Sequence, residues 1–179
     1  MPASLAKDRS LLALAVLNFF LADARDGLGP FLDGFLATRG WSPMALGLVA
    51  TIGGVLGIVA TPFFGAWVDA THRKRTLIIL PVLLVTAAAL WTLASLGNAA
   101  VFGGQSATAI VGAVVGPALM GLTLGLVGER RFSGQVSRNE FWNHTGNVAS
   151  LAGVYLASLA FGLKGVIAMM VMTATATIL

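Results

Sequence analysis

Ionisable and amide residues lie inside two apolar segments of this sequence, where burial in hydrocarbon would cost each of them several kcal/mol. In the first segment they are Asn18, Asp23, Arg25, Asp26 and Asp33. At about 100° per residue, the three aspartates share one helical stripe, while Asn18 and Arg25 share a neighbouring stripe. Because carboxylates cannot face lipid, we expect a water-filled cavity beside them. Arg25 with Asp26 could then form a substrate or proton site near the midplane, the alternative being a structural ion pair.

A second polar stripe opens the fifth apolar segment. Glu140, Asn143, His144 and Asn147 fall at positions i, i+3, i+4 and i+7, which lie on one face of a helix. Histidine changes charge near neutral pH, so His144 could titrate and Glu140 could carry a coupled proton. The alternative is a face that packs against another helical unit through hydrogen bonds, without a ligand.

The composition places these groups in a membrane. Of 179 residues, 57% are hydrophobic and 10% are charged, whereas soluble domains are roughly 45–50% apolar and about 25% charged. Glycines spaced four apart, at 53 and 57, 112 and 116, and 121 and 125, predict closely packed helices. The sequence contains no Cys, which excludes disulfides, thiolate metal sites and Cys nucleophiles.

Other function classes find little support. The net charge of +4 comes from short basic clusters between apolar runs, not from a basic face, so we predict no nucleic-acid partner. The sequence lacks H-E-x-x-H, P-loop and nucleophile-elbow motifs, and we predict neither an enzyme nor a bound cofactor. With two His, no metal site is predicted, although His144 with Glu140 remains an alternative.

About 20 mostly apolar residues are needed to cross the hydrocarbon core, and this length divides the chain into segments. We predict six membrane-spanning helices, at residues 10–37, 43–68, 76–96, 99–127, 140–161 and 165–179. A signal peptide cleaved near residues 22–24 is the alternative for the first segment, but apolar character resumes beyond it. The prediction is an all-α membrane protein whose residues 1–179 form one six-span domain.

Lys and Arg lie mainly on one side of these spans. Eight of them precede the first span or follow the second and fourth: Lys7, Arg9, Arg73, Lys74, Arg75, Arg130, Arg131 and Arg138. The opposite loops hold Arg39 and Lys164. Cytoplasmic loops retain basic residues, so we predict a cytoplasmic N-terminus in a multi-pass protein of the plasma membrane, which in bacteria is the inner membrane.

Residues 65–75, between the second and third spans, read G-A-W-V-D-A-T-H-R-K-R. A Gly near a helix end allows another backbone to approach, and an Asp four residues later can accept charge-assisted hydrogen bonds. The spacing resembles the G-x-x-x-D-R-x-G-R-[RK] motif of the major facilitator superfamily, which lies in the same loop. Gly65 and Asp69 match it, and Arg73 and Lys74 match its basic pair.

This resemblance implies the N-terminal six-helix half of a twelve-helix transporter bundle. The motif would hold the cytoplasmic side closed against the other half and release it during the cycle. Ala70 and His72 depart from the pattern, because the family commonly has Arg and Gly there. The alternative is an ordinary Gly/Asp helix end followed by topogenic basic residues.

A second resemblance lies at residues 138–147, which match the R-N-x-x-[FW]-[ND]-H-x-G-N segment of one branch of bacterial facilitators. The sequence stops inside an apolar run, so we expect a chain truncated at its C-terminus. Its partners would be the lipid bilayer, a small-molecule substrate and a second six-helix half, in the same polypeptide or in a homodimer. The predicted function is secondary transport by alternating access, with proton coupling as one option. A membrane scaffold or sensor is the alternative.

Overall fold

The computed structural model describes residues 3–26 and 29–178, with side chains described at positions 8–22, 24 and 31–178. The regular elements of this part of the chain are all helices, which confirms the predicted all-α class. Its eight helices are α1 (Ala3–Asp26), α2 (Gly29–Thr38), α3 (Pro43–Ala70), α4 (Thr76–Ser95), α5 (Asn98–Gly112), α6 (Val115–Val127), α7 (Glu129–Phe161) and α8 (Leu163–Ile178).

Three of the six predicted spans meet the length and apolarity that a membrane crossing needs. They are α3, α4, and α5 together with α6 as one 30-residue segment, Asn98–Val127. The last helix, α8, is apolar but shorter. In the described part of the chain, the first and fifth predicted spans lie in helices that this criterion does not select.

Two predicted spans each contain more than one helix, and each contains a proline. The segment predicted at 10–37 contains most of α1 and of α2, and Pro30 occupies the second position of α2. Proline is tolerated there because the first N–H groups of a helix have no intrahelical acceptor. The segment predicted at 99–127 is interrupted between α5 and α6. Pro117 cannot donate to the carbonyl of Ala113, and the Val114 N–H bonds three residues back, to Val111, at 3.2 Å.

The helix α7 begins at Glu129, well before the predicted start at Glu140. Residues 129–139 are mostly polar, so a prediction based on runs of apolar residues does not include them, although they are helical. Gly128, at φ +71°, precedes the helix with a conformation that favours glycine. Glu129 then places a carboxylate in the first turn, where the helix dipole stabilises negative charge.

Two apolar clusters hold the helices together. One joins α1 to α3, α4, α6 and α8 through Leu14, Leu21, Ala24, Val68, Leu77, Ile78, Val82, Val114, Val115, Ala118, Leu119 and Ala174. The other joins α2 to α3, α4, α5, α7 and α8 through Leu32, Leu36, Val49, Ala89, Leu93, Val101, Val154, Val166 and Met170. Large apolar side chains are also exposed, including Ile58, Phe63 and Val148. The bundle therefore needs an apolar surrounding.

Small residues allow close contact at two places. A Cβ on Gly104 of α5 would overlap the Thr92 hydroxyl of α4, which lies 3.0 Å from the Ala88 carbonyl and 3.2 Å from the Ala100 carbonyl. A Cβ on Gly57 of α3 would lie 3.4 Å from a backbone oxygen of α5. Close packing is thus confirmed for the glycines at 53 and 57, whereas those at 116 and 125 face open space.

Candidate functional site

The closest helix contact of the candidate site is the crossing of α1 and α7. Gly146 of α7 is buried against the backbone of Phe19 in α1, and a Cβ at Gly146 would overlap the Phe19 carbonyl oxygen. A glycine is therefore required for these two backbones to approach so closely. This contact fixes how α7 presents its remaining faces.

The crossing also brings together two of the predicted site residues. The Asn18 side chain is 1% exposed and donates from Nδ2 to the Leu14 carbonyl at 2.7 Å. Asn143 lies half-buried on α7 and donates from its own Nδ2 to the Asn18 backbone oxygen at 3.4 Å. The Asn18 amide is thus bonded within α1, and the Asn143 amide joins α7 to α1.

A second polar connection, which was not predicted from the sequence, joins α7 to α6. Gln135 Nε2 donates to Asn139 Oδ1 at 2.9 Å, and Asn139 Nδ2 donates to Thr123 Oγ1 at 2.9 Å. The Thr123 hydroxyl donates in turn to the Leu119 carbonyl at 2.8 Å. All three polar side chains are buried. The i, i+4 spacing of Gln135 and Asn139 was the available signal, but Gln135 lay outside the predicted fifth span.

The other predicted residues of α7 remain exposed. The side chains of Glu140 and His144 are 51% and 77% exposed, with His144 Nε2 3.9 Å from Glu140 Oε2. Asn147 is exposed one turn further on and, among the described side chains, has no hydrogen-bond partner. The predicted stripe therefore divides: Asn143 turns toward α1, and the other three residues form an open polar face.

The acidic and basic residues predicted in the first span lie at the end of α1. Asp23, Arg25 and Asp26 belong to its last turns, but their side chains are outside the described residues, so the Arg25–Asp26 site stays a prediction. Asp33 is exposed on α2. Arg39, in the turn after α2, lies over the Phe35 ring at 4.9 Å from its centroid.

The segment that resembles a transporter motif is mostly helical. Gly65 and Asp69 lie in the last two turns of α3, which continues to Ala70, and the turn proper begins at Thr71. A Cβ on Gly65 would meet nothing within 4 Å. Asp69 and Arg73 are exposed, and within the described part of the chain neither side chain has an ion-pair partner. This surface is free to receive another element.

Lys74 behaves differently from the rest of the motif. Its ammonium donates to the carbonyl of Val68, near the C-terminal end of α3, where the helix dipole favours positive charge. Its side chain also crosses Gly121 of α6, whose added Cβ would lie 3.3 Å from the Lys74 Cε. Lys74 thus ties α3 to α6 within this chain.

The described residues contain no group of three or more His, Asp and Glu side chains that could hold a metal ion. The ionisable groups on the open face of α7 are Glu140 and His144. A carboxylate and an imidazole at this spacing can exchange protons with water or bind a polar solute. Together with Asn147, they form the exposed polar face of α7.

Comparison with known proteins gives a consistent result. A sequence model of the MFS_1 like family matches residues 11–178. Two curated relatives come from Mycobacterium tuberculosis, strains CDC 1551 / Oshkosh and ATCC 25618 / H37Rv, and both are named as uncharacterized MFS-type transporters. Each is 41% identical over 151 residues, which cover 84% of this chain and 36% of the relative. The chain therefore spans about a third of the length of these relatives. No solved structure gives a significant match.

Proposed function

This chain belongs to the MFS_1 like family, and on that premise we propose that it forms the N-terminal six-helix half of a secondary active transporter. In this proposal α1 and α2 together make the first span, and α5 and α6 make the fourth. The helices α3, α4, α7 and α8 provide the second, third, fifth and sixth spans. The complete transporter is a multi-pass membrane protein that moves a small solute across the membrane by alternating access. Transporters of this family are generally non-enzymatic.

The positions of the basic residues support an N-terminus on the cytoplasmic side. Arg9 of α1 and Arg75 before α4 line the same groove, and Arg131 and Arg138 of α7 line another with Leu11 of α1. The three basic clusters are therefore at one end of the bundle. Because retained Lys and Arg mark the cytoplasmic end, that end faces the cytoplasm, at the inner membrane in a bacterium.

The observation that carries the proposal is the open polar face of α7. An exposed imidazole and carboxylate on a membrane helix need water or a polar partner, since contact with lipid is costly. The opposite side of α7 is already buried on α1 through Gly146 and Asn143. We therefore assign Glu140, His144 and Asn147 to the solute or proton pathway between this half and a second half. The second half is supplied by the same polypeptide or by another copy.

Asn18 and Asn143 have a positioning role in this proposal, because the Asn143 amide donates to the Asn18 backbone oxygen and so holds α7 against α1. Asp23, Arg25 and Asp26 complete the pathway from the end of α1, as the polar pattern of that segment indicates. Gly65, Asp69 and Arg73 form the gate against the second half, since that surface is open in this chain. Lys74 supports the gate from within by fixing the end of α3.

The test is transport by the complete protein in proteoliposomes, under separate proton and sodium gradients, across panels of sugars, amino acids, organic anions and organic cations. We expect flux of one class, with at least about a tenfold loss in Glu140→Gln or His144→Gln, since each removes a charge-assisted contact. Glu129→Gln is the matched control, because it removes an exposed carboxylate three turns away, at the first residue of α7. Absence of flux for every class, together with a stable complex with another membrane protein, would instead establish a scaffold.

A further inference from the structure

A groove of about 520 Å³ lies between α1, the start of α4, α6 and the end of α8. Its walls are almost entirely apolar, and Leu12 and Val16 of α1 are 66% and 45% exposed along it. Thr177 adds one hydroxyl, which already donates to the Thr173 carbonyl at 2.8 Å. The groove therefore offers an apolar channel along the side of the bundle.

Among the described residues, two cations and no carboxylate line this groove. They are Arg9, on α1, and Arg75, which directly precedes α4. Both are exposed, and within the described residues neither guanidinium has a hydrogen-bond or ion-pair partner. The neighbouring Asp8 is exposed and is not among the residues that line the groove. Among the described residues, the charged groups that line the groove are therefore both positive.

We propose that this groove binds an anionic glycerophospholipid of the bilayer. Its phosphate lies between Arg9 and Arg75, because guanidinium groups match phosphate oxygens in charge and geometry. One acyl chain lies along Leu12, Val16 and Ile79, where it replaces the apolar contact that the bundle does not provide itself. Basic pockets between membrane helices on the cytoplasmic side recognise anionic headgroups in this way.

This inference requires the chain to lie in a membrane, but it does not require transport. In it, Arg9 and Arg75 not only set the orientation of the chain in the membrane but also select lipids with an anionic headgroup. Phosphatidylglycerol carries a net negative headgroup, whereas phosphatidylethanolamine with the same acyl chains is zwitterionic. Selectivity between these two lipids therefore isolates the contribution of the arginines from that of the apolar walls.

The experiment is native mass spectrometry of the complete protein in detergent, with equal amounts of the two lipids. We expect the wild type to retain phosphatidylglycerol selectively. Removal of both charges in R9Q/R75Q should weaken its binding by about 25-fold, from roughly fivefold for each basic residue near a membrane surface. R9K/R75K preserves the charges and should keep most of the selectivity. Arg130→Gln is the control, since Arg130 is exposed and does not line this groove.

A second variant tests the acyl chain. Val16 is partly exposed, so Val16→Trp can extend into the groove without displacing buried atoms, and it should lower retention of phosphatidylglycerol while both arginines remain. Equal retention of the two lipids by the wild type, or unchanged selectivity in R9Q/R75Q, would overturn the proposal. So would wild-type retention in Val16→Trp, or a loss in R9K/R75K as large as in R9Q/R75Q. A groove covered by another segment of the complete protein would retain no lipid, which also contradicts it. None of these outcomes affects the solute-flux measurement, so the two proposals fail separately.

Discussion

The two sides of α7 use polar residues for opposite purposes. On the buried side, the polar side chains are paired: the Gln135 amide with the Asn139 amide, and the Asn139 amide with the Thr123 hydroxyl. On the exposed side, Glu140 and His144 are ionisable and stand 3.9 Å apart, at the limit of an ion pair. Both sets lie on one 33-residue helix.

Polar groups on the buried side of α7 hold the helices of this chain together. Those on its exposed side are available to a partner or a solute. A buried amide network is stable when each member has a partner, since an unpaired buried amide is costly. An exposed imidazole and carboxylate cost little while they face water, and they become useful when a second surface closes over them. Stability and transport should therefore respond to different substitutions on the same helix.

The largest effect on stability should come from Gly146→Ala. The new Cβ would overlap the Phe19 carbonyl oxygen, so α1 and α7 would have to separate, at a cost of about 2–3 kcal/mol in the free energy of unfolding. Denaturant unfolding of the complete protein in detergent measures it. Gly134→Ala on the same helix is the control, because its Cβ meets nothing within 4 Å. Equal stability of the two variants would contradict the close crossing.

Asn139→Leu should have the next largest effect. It leaves Gln135 and Thr123 without their shared partner and should lower the free energy of unfolding by about 1–2 kcal/mol. The matched change Asn147→Leu, on the exposed side, should shift it by less than about 0.5 kcal/mol. Thermal unfolding of both variants compares the two faces directly. A larger loss in Asn147→Leu would reverse the assignment of the faces.

Lys74→Met should cost about 1 kcal/mol, because it removes the cation that donates to the Val68 carbonyl at the end of α3. Arg73→Met, one residue earlier on an exposed side chain, should leave the free energy of unfolding nearly unchanged. The same unfolding measurement on the pair distinguishes structural from gating cations. Equal losses of unfolding free energy in Lys74→Met and Arg73→Met would show that Lys74 does not stabilise the end of α3.

Asp69→Asn should have the smallest effect on stability and a clear effect on transport. The exposed side chain has no partner among the described residues, so the free energy of unfolding should change by less than about 0.5 kcal/mol. Loss of a charge-assisted contact with the second half should reduce solute flux by about tenfold, with insertion intact. Flux in proteoliposomes and the amount of inserted protein are measured together. Wild-type flux would remove Asp69 from the gate.

The sequence predicted those helices whose boundaries depend on local chemistry. Pro43 and Thr76 were predicted as the first residues of α3 and α4, and the structure begins both helices there. A proline at the first helical position and a basic turn before an apolar run are signals within a few residues of the boundary. The predicted fifth span begins inside α7, at Glu140, because apolarity reports contact with lipid, whereas residues 129–139 are helical and mostly polar.

The candidate site was harder to predict from the sequence than the helices, as Asn143 shows. Helical periodicity placed Asn143, Glu140 and His144 on one face, but it cannot state which neighbouring helix lies beside that face. Burial of Gly146 on Phe19 turns Asn143 toward α1 and leaves the other two exposed. Gln135 and Thr123 were missed because their pairing through Asn139 depends on the packing of α6 against α7.

The contact between Thr92 and Gly104 has a consequence for the order in which the protein assembles. It joins α4 and α5, which are adjacent in sequence, so this hairpin can form as soon as both helices have left the ribosome. The hydrogen bond between Asn143 and Asn18 joins residues 125 positions apart and must wait for α7. We therefore expect α1 to enter the membrane without its main partner, and the α1–α7 contact to be among the last to form during synthesis.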